Sequence, residues 1–250
     1  MIILKTPQEI ELIAKASRVV ALTIAFLRER VKPGVTTADL DRWAEDFIVR
    51  EGARPAFKGY RGYPATLCTS VNEEVVHGIP STQKRLEEGD IIGVDVGAVV
   101  EGYHGDAAVT LPVGQISEEA ARLILVTEEA LSAGLAQVSV GRRLSDVSHA
   151  IQAVAEREGY SVVTDFVGHG IGRNLHEDPQ VPNFGKPGEG PRLKEGLVLA
   201  IEPMVNIGGS EVEVLADRWT VVTRDRKLSA HFEHTIALTA EGPKVLTHAA

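Results

Sequence analysis

The stretch Ile91-Ile92-Gly93-Val94-Asp95-Val96-Gly97-Ala98-Val99-Val100, followed shortly by Asp106-Ala107-Ala108-Val109-Thr110-Leu111, poses the problem that the rest of the chain must solve. Runs rich in Val, Ile and Thr and bounded by Asp or Gly predict strands over 90–100 and 107–113. Asp95 nevertheless interrupts the first run and Asp106 opens the second. The pattern recurs downstream: Glu202 interrupts Leu197-Val198-Leu199-Ala200-Ile201-Glu202-Pro203-Met204-Val205, and Glu233 precedes Thr235-Ile236-Ala237-Leu238. An unpaired carboxylate in such surroundings costs on the order of several kcal/mol, so it must be protonated, ion-paired or metal-bound. These runs contain no lysine or arginine. A shared divalent-cation site accommodates all four acids at once.

Oxygen ligands joined by one imidazole suit Mn, Fe, Co or Zn. The imidazole expected there is His169, in Phe166-Val167-Gly168-His169-Gly170-Ile171-Gly172, where glycines allow close approach of backbone and substrate. Singly, each residue has a plainer explanation. Asp95 or Glu202 fits an edge-strand charge or salt bridge, Asp106 a turn, and His169 an ordinary glycine-rich bend. The joint pattern is what points to a metal centre. Asp165, Asp217 and Asp225 lie near turn-like sequence and read as caps or solvated charges.

Outward from these runs, Thr6-Pro7-Gln8-Glu9 combines an N-cap, a proline at the first helical position and a capping-box glutamate. Ile10, Ile13, Val20, Ile24, Leu27 and Val31 then recur at helical steps, and Pro33-Gly34 ends the segment. Thr36 or Thr37 caps a second helix to about Gly52. Ser117 and Ser145 are read as caps of two more, running to about Leu135 and Glu158. Further strands are predicted over 65–71, 161–167, 197–205, 211–215, 219–223 and 230–238. The order of helix pair, strands, helix pair, strands predicts an α+β fold of two similar halves, with helices covering one face of a curved, mostly antiparallel sheet. No repeat of residues supports the duplication. No linker or low-complexity tract divides the chain, so residues 1–250 are expected to form a single domain.

The 26 basic and 35 acidic residues leave a formal charge of −9, which opposes direct nucleic-acid binding. Cys68 is the only cysteine, so neither an intrachain disulfide nor a thiolate-rich metal site can form, and a reduced, cytoplasmic setting is expected. No apolar run approaches the ~20 residues needed to span a bilayer. The spacing of Gly168, Gly170 and Gly172 differs from a dinucleotide fingerprint, and Gln180 removes an H-E-x-x-H zinc motif at His176.

The series Asp95, Asp106, His169, Glu202 and Glu233, with its aspartate spacing, resembles the pita-bread metallopeptidases. Within them, Val76-His77-Gly78-Ile79-Pro80, Gly102-Tyr103-His104-Gly105-Asp106, Gly168-His169-Gly170-Ile171-Gly172, Ile201-Glu202-Pro203-Met204 and Phe232-Glu233-His234-Thr235 resemble the type I methionine aminopeptidases over nearly the whole chain. The resemblance implies a pita-bread fold, two helix pairs on the sheet's outer face and pseudo-twofold halves. It also implies a dinuclear centre in which Asp106 and Glu233 bridge two divalent ions, Asp95 chelates one, and His169 and Glu202 complete the other. The implied activity is removal of N-terminal methionine from nascent proteins whose second residue is small, through a bridging water or hydroxide activated by both ions, with Glu202 accepting the nucleophile's proton. The ions' identity among Co, Mn, Fe and Zn stays open.

By the same likeness His77 and His176 hold the peptide, at the scissile nitrogen and the carbonyl oxygen respectively. Tyr60, Tyr63, Cys68 and Trp219 form the methionine pocket. The implied partners are N-terminal methionyl peptides and nascent chains near the ribosome, and the implied state is a monomer. Three positions depart from the bacterial pattern: Leu175 stands where an aromatic is expected, Arg61 where a histidine is, and Phe57 where a small residue is. The nearest alternative is a peptidase of the same fold acting beside proline. A more distant one is a binding module that has lost its metals.

Overall fold

The computed structural model describes residues 1–248. Its organising element is a long hairpin, closed by Glu101 and Gly102, both with left-handed φ values of 50° and 82°. Two such residues make the tight turn whose twist matches antiparallel strands. It joins β4 (Ile91–Val100) to β5 (Tyr103–Pro112), paired without interruption from Val100 opposite Tyr103 to Ile91 opposite Pro112. Before this hairpin come α1 (Pro7–Arg28), α2 (Thr37–Arg50), β1 (Arg54–Pro55), β2 (Leu67–Val71) and β3 (Glu74–Val76). After it come α3 (Glu118–Leu135), α4 (Leu144–Arg157), β6 (Ser161–Val162), β7 (Gly168–Gly170), β8 (Glu177–Val181) and β9 (Val198–Ile201). The chain then adds β10 (Met204–Asn206), β11 (Val212–Val214), β12 (Val221–Thr223), β13 (Ser229–His231), β14 (Glu233–Thr239) and β15 (Gly242–Val245).

The main sheet is antiparallel in the order β1-β4-β5-β14-β9-β7-β8, with β2 added on β4 and β15 on β14. Two short three-stranded sheets, β13-β10-β6 and β11-β12-β3, flank it. Register decides where the acids go. Asp95 lies opposite Ala108 and Asp106 opposite Gly97, so the two aspartates are diagonal neighbours on one face. Glu233 also lies opposite Ala108, from the other side. His234 faces Ile201, which brings Glu202 to the end of its strand beside Glu233. His169 faces Ala200. The two-residue alternation then places all five predicted ligands on the same face of the sheet, on or beside five adjacent strands.

The other face is covered by helices. At Gly105, an added methyl would overlap the backbone of Ser17 in α1, so the glycine sets how closely that helix lies on β5. The apolar side of α1 (Val20, Ile24, Leu27) joins Val94, Val96 and Val109 from the hairpin in one core with Leu123, Val147 and Ile151 from α3 and α4. The helix starts follow their predicted caps at Thr6, Thr36 and Ser117. The fourth does not: α4 is capped at Arg143, and the Ser145 hydroxyl donates to the Glu189 carbonyl at 2.9 Å instead. Asp146, at the third helical position, accepts the Arg143 N–H at 2.9 Å, as the third residue of a capping box does.

The predicted strand over 197–205 is broken at Glu202-Pro203 into β9 and β10, which belong to different sheets. The one over 161–167 keeps only two residues, and Trp219 precedes its strand. β1, β3, β7, β8 and β15, none longer than five residues, carried too little alternation to be read.

The two halves repeat in backbone hydrogen bonding where they do not in sequence. Gly34 N–H donates to Leu86 C=O (2.8 Å), Leu86 to Val35 (2.8 Å) and Thr37 to Lys84 (2.9 Å). At one constant offset along the chain, Gly141 donates to Leu193 (2.9 Å), Leu193 to Arg142 (2.8 Å) and Leu144 to Pro191 (3.0 Å). The same offset carries Asp95 onto Glu202. Replacing Gly105 by alanine is expected to push α1 off the sheet and cost about 1–3 kcal/mol. A urea midpoint equal to that of the unaltered chain would refute the close-packing role.

Candidate active site

All eleven residues singled out from the sequence line one pocket of about 150 Å³. Asp95, Asp106, His169, Glu202 and Glu233 form its floor, and the walls include Tyr60, Tyr63, Cys68, His77, His176 and Trp219. Its remaining lining is Phe57, Arg61 and Leu175, the three positions that the sequence reading set apart from the expected pattern.

On the floor, ligand atoms of Asp106, His169 and Glu233 lie within 4.8 Å of one another. Asp95 Oδ1, Asp106 Oδ1 and Glu233 Oε1 are buried without a hydrogen-bond partner. Among the described residues lining the pocket the one lysine or arginine is Arg61, which is exposed. Burial drives the acids toward their neutral forms: Asp95 and Glu202 are pushed up to about 7, and Asp106 and Glu233 are raised further by their carboxylate neighbours. Orphaned oxygens, mutual repulsion and one imidazole form a donor set that fits divalent cations and that no protein cation satisfies.

His169 Nε2 stands 3.6 Å from Glu202 Oε1, and its Nδ1 lies 2.9 Å from the Gly170 carbonyl, which directs the other nitrogen toward the acids. One residue packed against the floor, outside the pocket lining, escaped the sequence reading. His231 is buried with an unpartnered Nε2 at 3.6 Å from Glu202 Oε2, so that Glu202 lies between two imidazoles. Burial lowers the pKa of both rings, outweighing the attraction of nearby acids, and both are therefore neutral near pH 7. The available signal was its place two residues before Glu233 in a run already read as a strand.

The walls are held by specific contacts. Cys68 faces Asp95 across the β2–β4 pairing, and burial, reinforced by that carboxylate, raises its thiol so that it is an apolar lining and not a nucleophile. The Tyr63 hydroxyl points at the Leu67 and Gly78 carbonyls (2.9 and 3.0 Å), and its ring meets Trp219 edge-on at 5.0 Å. Asp217, read as a simple cap, accepts the N–H groups of Trp219 and Thr220 at 2.9 Å each and so fixes the indole's position. His77 sits at a φ of 60°, edge-on to Phe166 and Trp219. His176 Nδ1 is 2.9 Å from the Tyr60 hydroxyl, and its ring is 4.2 Å from His169. Burial lowers His77 and His176 to about 4 each, with His231 adding to the first shift and Arg61 to the second. Phe57 fits because Gly97, opposite Asp106, has no side chain: a methyl there would overlap the phenyl ring.

Residues 11–240 match the model of metallopeptidase family M24. The chain belongs to that family. Within it the chain stands among the methionine aminopeptidases: it is 56% identical to "Methionine aminopeptidase" of Clostridium acetobutylicum over 99% of both sequences. The crystal structure of methionine aminopeptidase from Thermotoga maritima superposes with a TM-score of 0.98 at 49% identity, covering 100% of each chain. The pita-bread architecture implied by the motifs is thus the architecture found. Prolidase from Pyrococcus furiosus shares the fold at a TM-score of 0.79 and 24% identity, but this chain spans only 66% of it.

The floor's electrostatics carry a sign. Without metal, Asp95 and Glu202 have folded pKa values near 7, above the unfolded ~4. The stability they retain when protonated is therefore present below about pH 4 and lost as pH rises through 7. Divalent ions bind the deprotonated acids, so the rise in Tm on adding saturating Mn or Co is expected to grow from about pH 5.5 to about pH 8, with apparent affinity rising about tenfold per pH unit for each proton displaced. A Tm gain that is flat or shrinking over that interval would contradict this account.

Proposed function

We propose that this chain removes the N-terminal methionine of peptides and nascent proteins, preferring a small second residue, at a two-metal centre held by the five floor residues. The observation that carries the reading is the set of buried, unpartnered carboxylate oxygens around His169 at the base of an aromatic pocket. In this reading Asp106 and Glu233 would be shared between the two ions, Asp95 would help hold one, and His169 with Glu202 would help hold the other. When bound, such ions supply the Lewis acidity that makes water nucleophilic near neutral pH and polarises the scissile carbonyl.

The protein's own groups do the rest. Glu202 accepts the attacking water's proton and returns it to the leaving amine. His176, with Tyr60 donating to Nδ1, carries its proton on Nε2 and offers it to the carbonyl oxygen. His77 holds the scissile nitrogen. Both rings are neutral at working pH and so act as hydrogen-bond donors without charge. Tyr63, Cys68 and Trp219 present ring and thiol surfaces suited to an unbranched thioether. Leu175, Arg61 and Phe57 line the same small pocket, which supports the limit to small second residues.

The reading further takes the chain as one catalytic domain, monomeric and cytoplasmic, working close to the ribosome. Its support is that the two helix pairs and both halves of the sheet share one core, that Cys68 is buried, and that no described helix is long and apolar enough to cross a membrane.

The deciding experiment is product analysis on peptides varied at their first and second residues. Chelator-treated protein is expected to be inactive on Met-Ala-Ser and to regain activity with Co or Mn. Full turnover after verified metal removal would defeat the reading, as would cleavage restricted to proline-containing peptides. Glu233→Ala and Asp106→Ala are each expected to lose turnover together with stoichiometric binding of two ions, and retained turnover in either would remove the ligand assignment. Trp219→Ala is expected to raise KM for methionyl peptides by about tenfold or more while metal content stays the same. An unchanged KM would make the indole structural only.

A further inference from the structure

Beside the catalytic pocket lies a more open cleft of about 600 Å³ with the opposite electrostatic character. Four cations line it, Arg54, Lys58, Arg61 and Arg173, together with His104 and His176, and no carboxylate does. All four cations are exposed, and they come from three separate places: Arg54 from β1, Lys58 and Arg61 from the turn that follows it, and Arg173 from the loop after β7. This grouping stands out in a chain whose formal charge is −9.

The cations are only partly spoken for. Lys58 bonds Glu45 at 2.7 Å, and Arg173 approaches Glu9 no nearer than 4.0 Å while its guanidinium lies over the Tyr103 ring at 4.6 Å. Arg61 rests beside the Tyr60 ring at 5.3 Å, and among the described residues neither Arg54 nor Arg61 forms an ion pair. Their field is felt by the neighbouring rings. Behind the effect of burial, Arg54 adds to the lowering of His104 and Arg61 to that of His176.

Cleft and pocket are continuous, because Tyr60, Arg61, Leu175 and His176 line both. A peptide whose first residue filled the pocket would pass those four side chains on its way out and bring the residues after its second to the cleft. We propose that this cleft is a downstream substrate subsite, which favours acidic side chains at the third and fourth positions of the peptide through Arg54, Arg61 and Arg173. The proposal rests on the aminopeptidase reading and deepens it. Peptide is favoured over nucleic acid as the occupant because the one Phe, Tyr or Trp ring in the lining, Tyr60, already stacks on His176 at 5.3 Å and has Arg61 beside it at 5.3 Å, which leaves bases a poor stacking platform.

The test compares Met-Ala-Asp-Asp-Ser, Met-Ala-Ser-Gly-Ser and Met-Ala-Lys-Lys-Ser, first as kcat/KM on the metal-loaded protein and then as Kd by calorimetry on the metal-free protein. The second readout needs no turnover, so it decides the subsite even if the aminopeptidase reading fails, and turnover of the neutral peptide tests that reading separately. At low salt (about 20 mM) the acidic peptide is expected to lead the neutral one by about three- to tenfold, the sum of a few exposed ion pairs, with the basic peptide last. The order should collapse at about 0.5 M salt, where the Debye length falls to about 4 Å. The double variant Arg54→Glu, Arg173→Glu is expected to invert the ratio of acidic to basic peptide. Equal binding of the three peptides at low salt, or a preference that survives high salt, would overturn the proposal, and the salt series on the unaltered protein decides it if the double variant does not fold. A single-stranded RNA oligomer that binds more tightly than the acidic peptide would also overturn it and assign the cleft to nucleic acid.

Discussion

Several carboxylates buried on one face of a sheet cannot stay charged beside one another without a compensating cation, and the rest of this structure is arranged around that constraint. The acids arrive by strand register: a two-residue turn sets Asp95 diagonal to Asp106, Glu233 pairs across Ala108, and Glu202 reaches the same face at a strand end. Each step is a backbone hydrogen-bonding decision, so the cluster is as rigid as the sheet. Slipping any one strand by a single residue would turn its ligand to the helical face. The unpartnered oxygens are therefore the mark of a site built for an ion and held open by the fold.

Above this floor, neutral groups take over. Burial keeps the histidine rings uncharged and the Cys68 thiol protonated, and Tyr63, Trp219 and Asp217 form a chain in which a turn residue fixes an indole and the indole packs on a tyrosine. Positive charge begins at the mouth, with Arg61, and continues outward into the basic cleft. A substrate would thus meet cations outside, apolar and hydrogen-bonding groups in the walls, and acids at the base. Phe57 and Gly97 show how a large ring is seated in the wall: the phenyl occupies space that the glycine leaves.

The two halves of the molecule are alike in a way their side chains conceal. The loop that leads into α2 and the loop that leads into α4 make the same backbone hydrogen bonds at a fixed offset, although Thr36 caps one helix and Arg143 stands at the other. Main-chain geometry needs only compatible φ and ψ, which many residues allow, so it persists where side chains do not. Ser145 was misread as a cap for that reason: the residue type suits a cap, yet the backbone puts the helix start two positions earlier.

From the chain of letters alone, the four helices, the long hairpin strands and the acids lodged in apolar runs were legible, because each leaves a local signature: capping residues, helical spacing, and charge where neighbours demand grease. The motifs likewise pointed to eleven of the fourteen residues that line the pocket. Tertiary structure alone decided what depends on contacts distant in sequence. It set the break at Glu202-Pro203 that sends β9 and β10 to different sheets, and the short strands that exist only because a longer neighbour offers hydrogen bonds. It also placed His231 against Glu202 and gathered four cations from three separate segments into one cleft. Local free energies are written into a few consecutive residues, whereas register and juxtaposition belong to the folded sheet as a whole.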